Sequence, residues 1–450
     1  MPSVNPPSVT TQARTSATPR TSTSAAIAVD ETAAADSSLV VHIEPGTARG
    51  RLRRHLPDKV AFYLQASIVV SFLAASSAPT PLYGKYQAAW HFSPITTTVI
   101  FGVYALAVLV ALLIVGSLSD HVGRKPVLLT AIAIQVVSMI VFSTAGSVSD
   151  LMIARIVQGI ATGGALGAIG AGLIDLDRAK GTITNAAAPM MGTGSGALLS
   201  GLLVQFLPAP THLIYYVILG AFVLQALGVS RIRETSSREN GALASLRPHF
   251  EVPKPARVPL LKAIPVLIAA WALAGFYLAV GPAIVTLVTG SRSLAIGGLS
   301  LFVLAGMGAV AILLTRTMDS TRVMVGGTAA LLVGVGFTLL GMELGSAAWF
   351  YAGVVVAGAG FGGGFQGGIR TVVPLAAPHQ RAGLLSTVYV ICYLAMGVPA
   401  VIGGVLIVHI GLLPAARTYG IAVMVLAAIA LAAIARPTRE PKTLAAAHKA

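Results

Sequence analysis

Gly116-Ser-Leu-Ser-Asp120-His-Val-Gly123-Arg124-Lys125 stands between two apolar runs, 94–118 and 126–146. Each run is long enough to cross a hydrocarbon core of roughly 30 Å as a helix. The charged decapeptide therefore reads as a tight hairpin at a membrane surface. Gly116 and Gly123 remove side chains where helix ends and backbone must approach closely. Asp120 and Arg124 are four apart, the spacing of an ion pair on one helical face. The tendency of cytoplasmic loops to collect Lys and Arg explains the charge. It does not explain the glycines and the aspartate at this spacing.

Composition agrees with a membrane setting. The chain has 450 residues, 55% hydrophobic and 10% charged, with a mean hydropathy of +0.83. Soluble domains draw about a quarter of their residues from Asp, Glu, Lys and Arg, so a soluble globular fold is excluded. The net charge of +15 would suit nucleic acid, but the basic residues gather in loops on one side of the expected membrane. No nucleic-acid partner is expected. Cys392 is the only cysteine, so no intrachain disulfide forms.

Outward from the hairpin, twelve spans are legible, near 60–83, 94–118, 126–146, 150–174, 183–207, 213–230, 262–288, 294–315, 323–342, 347–369, 383–410 and 415–435. The chain divides into a Ser/Thr/Ala/Pro-rich tail (1–57) expected to be disordered, a six-helix half (58–230), a polar central loop (231–259), a second six-helix half (260–436) and a short tail (437–450). Arg49, Arg51, Arg53 and Arg54 form a basic collar before the first span. Of the Lys and Arg residues, only Lys85, Arg292 and Arg417 fall in loops on the opposite side, and Arg155 within a span. That asymmetry places both termini of a multi-pass membrane protein in the cytoplasm. A degraded echo of the hairpin, Arg316-Thr-Met-Asp319-Ser-Thr-Arg322, follows the second span of the second half. Equivalent loops at equivalent places imply two parallel repeats about an axis along the membrane normal.

The order Gly-x-x-x-Asp-x-x-Gly-Arg-Lys resembles the signature loop between helices two and three of the major facilitator superfamily of transporters. The resemblance covers about residues 57–437 and implies an all-α fold of twelve transmembrane helices in two six-helix repeats, set in the inner (plasma) membrane. It also implies that Asp120 rests near Arg381–Gly383 and Arg124 pairs with Asp175 or Asp177, contacts that favour an outward-open state. Arg155-Ile-Val-Gln158-Gly159-Ile-Ala-Thr-Gly163-Gly164-Ala-Leu-Gly167 resembles the family's fourth-helix motif, whose arginine is often tied to proton coupling in antiporters. Asn185-Ala-Ala-Ala-Pro189-Met-Met-Gly192-Thr-Gly194-Ser-Gly196 is similar to the fifth-helix motif of drug antiporters, but keeps only a fragment of its core.

Gly159, Gly163 and Gly167 recur every four residues and offer a groove for another backbone, as do Pro189, Gly192 and Pro399 in their small-residue settings. Arg155 is different, because an arginine in a span must face protein or water. It is expected to line a central cavity, with Gln158, Tyr104, Trp271, Tyr277, Gln366, Tyr389 and Tyr393 as further candidates for substrate or coupling. Each aromatic also has an ordinary reading as a packing residue. Gly358-Ala-Gly360-Phe-Gly-Gly363 matches a dinucleotide fingerprint in form only, since no strand precedes it. No zinc-protease, serine-hydrolase or phosphate-loop motif occurs, so neither an enzyme nor a cofactor or metal is expected.

No Asp or Glu falls deep in an expected span, which argues against cationic solutes, because nothing offsets burying a second positive charge beside Arg155. The reading is a monomeric secondary transporter moving a small organic solute by alternating access, as proton-linked efflux of a drug or metabolite. The alternatives are a sugar or organic-acid permease working in either direction, a non-transporting receptor on the same fold, and an integral-membrane enzyme.

Overall fold

A bilayer core offers no water to backbone N–H and C=O groups, and a helix satisfies them within its own segment. The computed structural model describes residues 55–436 except 237–239, 249 and 378–379, and among them there is no strand. The expectations for the amino-terminal tail and its basic collar, and for the carboxyl-terminal tail, lie outside the described residues.

Fourteen α-helices are described: α1 (Asp58–Ser77), α2 (Tyr83–Trp90), α3 (Pro94–Val115), α4 (Leu118–Val122), α5 (Arg124–Thr144), α6 (Val148–Leu176), α7 (Arg178–Phe206), α8 (Leu213–Ser230), α9 (Lys254–Thr289), α10 (Leu294–Thr315), α11 (Ser320–Glu343), α12 (Ala347–Val372), α13 (Arg381–Ile410) and α14 (Leu412–Ala435). With α1 and α2 taken as one span, twelve are long and apolar enough to cross a membrane. The short α4 is the first part of the quoted hairpin.

Two boundaries depart from expectation. The first span is not one helix to residue 83. It stops at Ser77, passes a 3₁₀ turn at Thr80–Leu82 and resumes as α2. Pro79 and Pro81 carry no backbone N–H and cannot continue the ladder. The seventh span begins at Lys254 rather than 262 and absorbs Pro259, Pro265 and Pro282 in its interior. Prolines are tolerated inside membrane helices because neighbours re-satisfy the freed carbonyls.

Within the first half, α6 packs on α3 and α5, and α1 on α7. Within the second, α11 packs on α12, and α9 on α13 and α14. The halves meet through α7 against α10 and α3 against α13. Gly159 and Gly163 bring α6 onto the backbone of α3: an added Cβ would lie 2.9 Å from the Tyr104 carbonyl oxygen and 2.5 Å from that of Val108. Gly167 abuts the Gly116 carbonyl, so the hairpin's first glycine closes the same seam. The run 358–363 serves close packing too, with Gly358 and Gly362 against α10 and Gly360 against α11.

Toward the hairpin side the halves touch through Ala187 and Met190 of α7 with Ala309 and Ile312 of α10, while the closest backbone approaches lie on the other side. Gly404 meets Thr98, and Gly102 meets Val401, both toward the end of the molecule away from the hairpin. On the other flank Gly194 meets Phe302 and Gly298 meets Ala197, again in the far portions of α7 and α10. The far side is shut, and the halves diverge toward the hairpin side.

Candidate functional site

Where the halves diverge they enclose a cavity of about 430 Å³. It runs from Ser76 and Tyr104 toward Leu112 near the hairpin end of α3, and Asn185 and Leu385 in the opening turns of α7 and α13. Pockets of this volume suit drug-sized molecules. Its wall is mostly apolar, with aromatic side chains from the second half. Trp271 meets Phe365 edge-on, with ring centroids 5.5 Å apart, and Tyr393 at 5.1 Å.

The expected site residues divide. Tyr104, Trp271, Tyr389 and Tyr393 line the cavity, as do Gly167 and Pro189. Tyr277 does not; it is buried at a small void between α9, α11 and α14. Gln366 is half-buried and off the lining, although its neighbour Phe365 is on it. Gly192 packs against α1 at Val70, and Pro399 sits inside α13.

Arg155 and Gln158 do not line the cavity either, which corrects the expectation for both. Both are fully buried behind it. Arg155 Nε and Nη2 donate to the Tyr83 hydroxyl at 2.9 and 2.6 Å. Its Nη1 donates to the Ser76 carbonyl at 2.7 Å and to Gln158 Oε1 at 2.6 Å. The guanidinium also lies 5.1 Å from the Tyr104 ring centroid. Gln158 Nε2 in turn donates to the Ala75 carbonyl at 3.0 Å. The broken first span supplies the neutral acceptors that an embedded cation requires.

Sequence reasoning missed the polar groups that do reach the cavity. Ser76, Asn185 and Thr193 line it, with Met190, Phe361 and Phe365. Asn185 Nδ2 donates to the Gly170 carbonyl at 2.8 Å, and Thr193 Oγ1 to that of Pro189 at 3.0 Å. Two polar side chains within a proline-containing helix were the available signal. For Ser76 and Tyr83 the signal was the Pro79–Pro81 pair that breaks the span.

At the hairpin, Arg124 pairs with Asp120 and, at 3.4 Å, with Asp175, and donates to Ser119 Oγ at 2.8 Å. Of the two acids implied for it, Asp175 is the partner. Asp177 instead caps α7 and pairs with Lys180 at 3.0 Å. The Lys180 amide, then its ammonium, hold the Asp177 carboxyl below the usual carboxylate range.

Glu234 was not foreseen. Its carboxylate accepts the Arg124 amide at 2.8 Å and the Lys125 amide at 3.1 Å, capping α5. Gly123 makes this approach feasible, with φ of +108° and a position where a Cβ would sit 2.7 Å from Glu234 Oε2. Lys125 Nζ closes the end of α8 on the Ser230 and Ile232 carbonyls at 2.6 and 3.1 Å.

The implied contact of Asp120 with the start of α13 is not made. Glu251 lies there, against Gly383 and accepting from Gln380 Nε2 at 2.7 Å. The hairpin acid pairs with Arg124 instead. The echo loop differs again: Asp319 caps α11 through the Arg322 amide at 3.0 Å, and Arg370 donates to the Thr315 and Met318 carbonyls.

Two helical halves around a one-sided cavity are the architecture of a secondary transporter. The model for the Major Facilitator Superfamily matches residues 66–401, and the chain belongs to that superfamily, one of transporters rather than enzymes. A crystal structure of a variant of the nucleoside transporter NupG superimposes with a TM-score of 0.63. The match covers 83% of this chain and 99% of that one at 13% identity, a likeness of fold.

Proposed function

We propose that this chain exports a small organic solute, a drug or metabolite, across the inner (plasma) membrane by alternating access, working as a monomer with both termini cytoplasmic. One observation carries the reading. The cavity of about 430 Å³ is closed toward the far side by glycine-mediated contacts and open toward the hairpin. That is one end state of a rocking cycle. The two contact seams, α3 on α13 and α7 on α10, are then the surfaces that must part for release on the other side.

Coupling to protons is the finer part of this reading. The cavity wall holds no Asp, Glu, His, Lys or Arg, which favours a second reading in which the solute moves down its own gradient without a proton. Sealed inside-out vesicles test both. Solute accumulation above that of vesicles lacking the protein is expected. No flux for any compound of a broad library would sink the export reading. Flux that survives collapse of the pH gradient selects the uncoupled form.

A further inference from the structure

The polar groups around the cavity are sorted by half, and the sorting defines a complementary molecule. On the first half, the Asn185 amide spends an N–H on Gly170 and the Thr193 hydroxyl its proton on Pro189. Asn185 Oδ1 and the Thr193 oxygen keep lone pairs without a partner among the described residues. On the second half, the Tyr389 and Tyr393 hydroxyls line the cavity, and neither has a hydrogen-bond partner among the described residues. The Trp271 indole N–H beside them is also unpartnered but enclosed, so it offers the cavity no donor. The first wall offers two acceptor oxygens beside one remaining Asn185 N–H, and the phenols of the other have protons to give.

Positive charge is disfavoured in the cavity. The lining has no ionised side chain. Behind Tyr104, however, lies the Arg155 guanidinium, 5.1 Å from the ring centroid and with no carboxylate among its partners. Its charge acts across a low-dielectric wall, so a cation in the cavity meets repulsion and finds no anion. The same charge draws an anion at range, although the guanidinium is already bound to Ser76, Gln158 and Tyr83. The aromatic surfaces of Trp271, Phe361, Phe365, Tyr389 and Tyr393 favour a flat π-system.

Resting on the transporter reading, we infer that the solute is a non-cationic, planar aromatic compound. It carries a hydrogen-bond donor on the edge facing Asn185 and Thr193 and an acceptor on the edge facing Tyr389 and Tyr393. Three tricyclic probes of one skeleton separate these requirements. Acridone has an N–H on one edge and a carbonyl on the other, 10-methylacridone lacks the donor, and 10-methylacridinium is a cation.

Equilibrium dialysis against the full chain in nanodiscs is expected to show saturable binding of acridone. 10-Methylacridone should bind about tenfold more weakly and 10-methylacridinium at least about tenfold more weakly, each tenfold being about 1.4 kcal/mol. Asn185→Leu should erase acridone's advantage over 10-methylacridone. Thr193→Val should reduce it, and a melting curve for each variant confirms its fold.

Equal binding of the two neutral probes would overturn the donor edge, and a cation bound as tightly as acridone would overturn the exclusion of cations. An advantage that persists in both folded variants would overturn the role of Asn185 and Thr193. Failure of all three probes to bind would sink the assignment, while solute flux in vesicles would still report separately whether the transporter reading stands.

Discussion

Arg155 Nη1 donates to the Ser76 carbonyl at 2.7 Å, in the last turn before Pro79 ends the first helix. In an unbroken helix the amide of residue 79 would bond the Ala75 carbonyl, and proline has none. Gln158 Nε2 supplies that bond, and Ser200 Oγ donates to the Ala78 carbonyl at 2.6 Å. The break and the buried cation thus solve each other's problem. The carbonyls gain donors, and the guanidinium gains neutral acceptors without a carboxylate.

Arg155→Ala should therefore act first on stability. It strands the Ser76 carbonyl, the Gln158 oxygen and the Tyr83 hydroxyl, and unsatisfied buried groups cost about 1–3 kcal/mol each, less where they relax. A loss of roughly 2–4 kcal/mol follows by that arithmetic. Arg155→Lys keeps the charge but not the fork of donors and should fall between. Thermal melting of purified protein checks both; unchanged melting for Arg155→Ala would refute the clasp. Transport should fall with stability in the same order.

Glu234 should prove to be part of the hairpin, although it lies 110 residues beyond Arg124 in sequence. Glu234→Ala removes an anion and two acceptors from the start of α5, an arrangement worth typically about 0.5–2 kcal/mol. Hydrogen exchange at the Arg124 and Lys125 amides should speed up severalfold. Protection equal to the parent's would show that the cap contributes nothing.

The far-side seam is open to a steric test. A Cβ at Gly404 falls directly on the Thr98 side chain, so Gly404→Leu should wedge α3 from α13. With Cys392 replaced by Ser, a cysteine placed at Ala400 is buried in the parent and should label faster with a membrane-impermeant maleimide in the wedged variant. Equal labelling rates would mean that this seam does not hold the far side shut.

Asp120→Asn weakens the pair with Arg124 and is expected to reduce transport while leaving equilibrium solute affinity nearly unchanged, since the hairpin lies off the cavity wall. A collapse of affinity with an unchanged open–closed balance would reverse that assignment.

Orientation is checked by a reporter active only in the periplasm, fused after Ala450. It should be silent in intact cells, and strong activity would overturn the placement of the carboxyl end.

Length and hydropathy fixed the number of spans, because a bilayer imposes the same helical length on every crossing. Spacing alone revealed the α6 seam, since Gly159, Gly163 and Gly167 recur at the helical period whatever helix they face. The family resemblance placed Arg124 at the end of α6, while the choice of Asp175 over Asp177 waited for the chain's path at the end of that helix. Tertiary structure decided what depends on distant partners. Arg155 is marked by sequence as an embedded cation, yet its side chain lies behind the cavity because the carbonyls freed at Pro79 lie there, 79 residues earlier in the chain for Ser76. Asn185 and Thr193 face the solute space because α7 presents that side between the halves. Glu251 rather than Asp120 meets the start of α13 because the segment leading into α9 passes there. Periodicity is a property of one segment; the contents of a cavity are a property of how several segments pack.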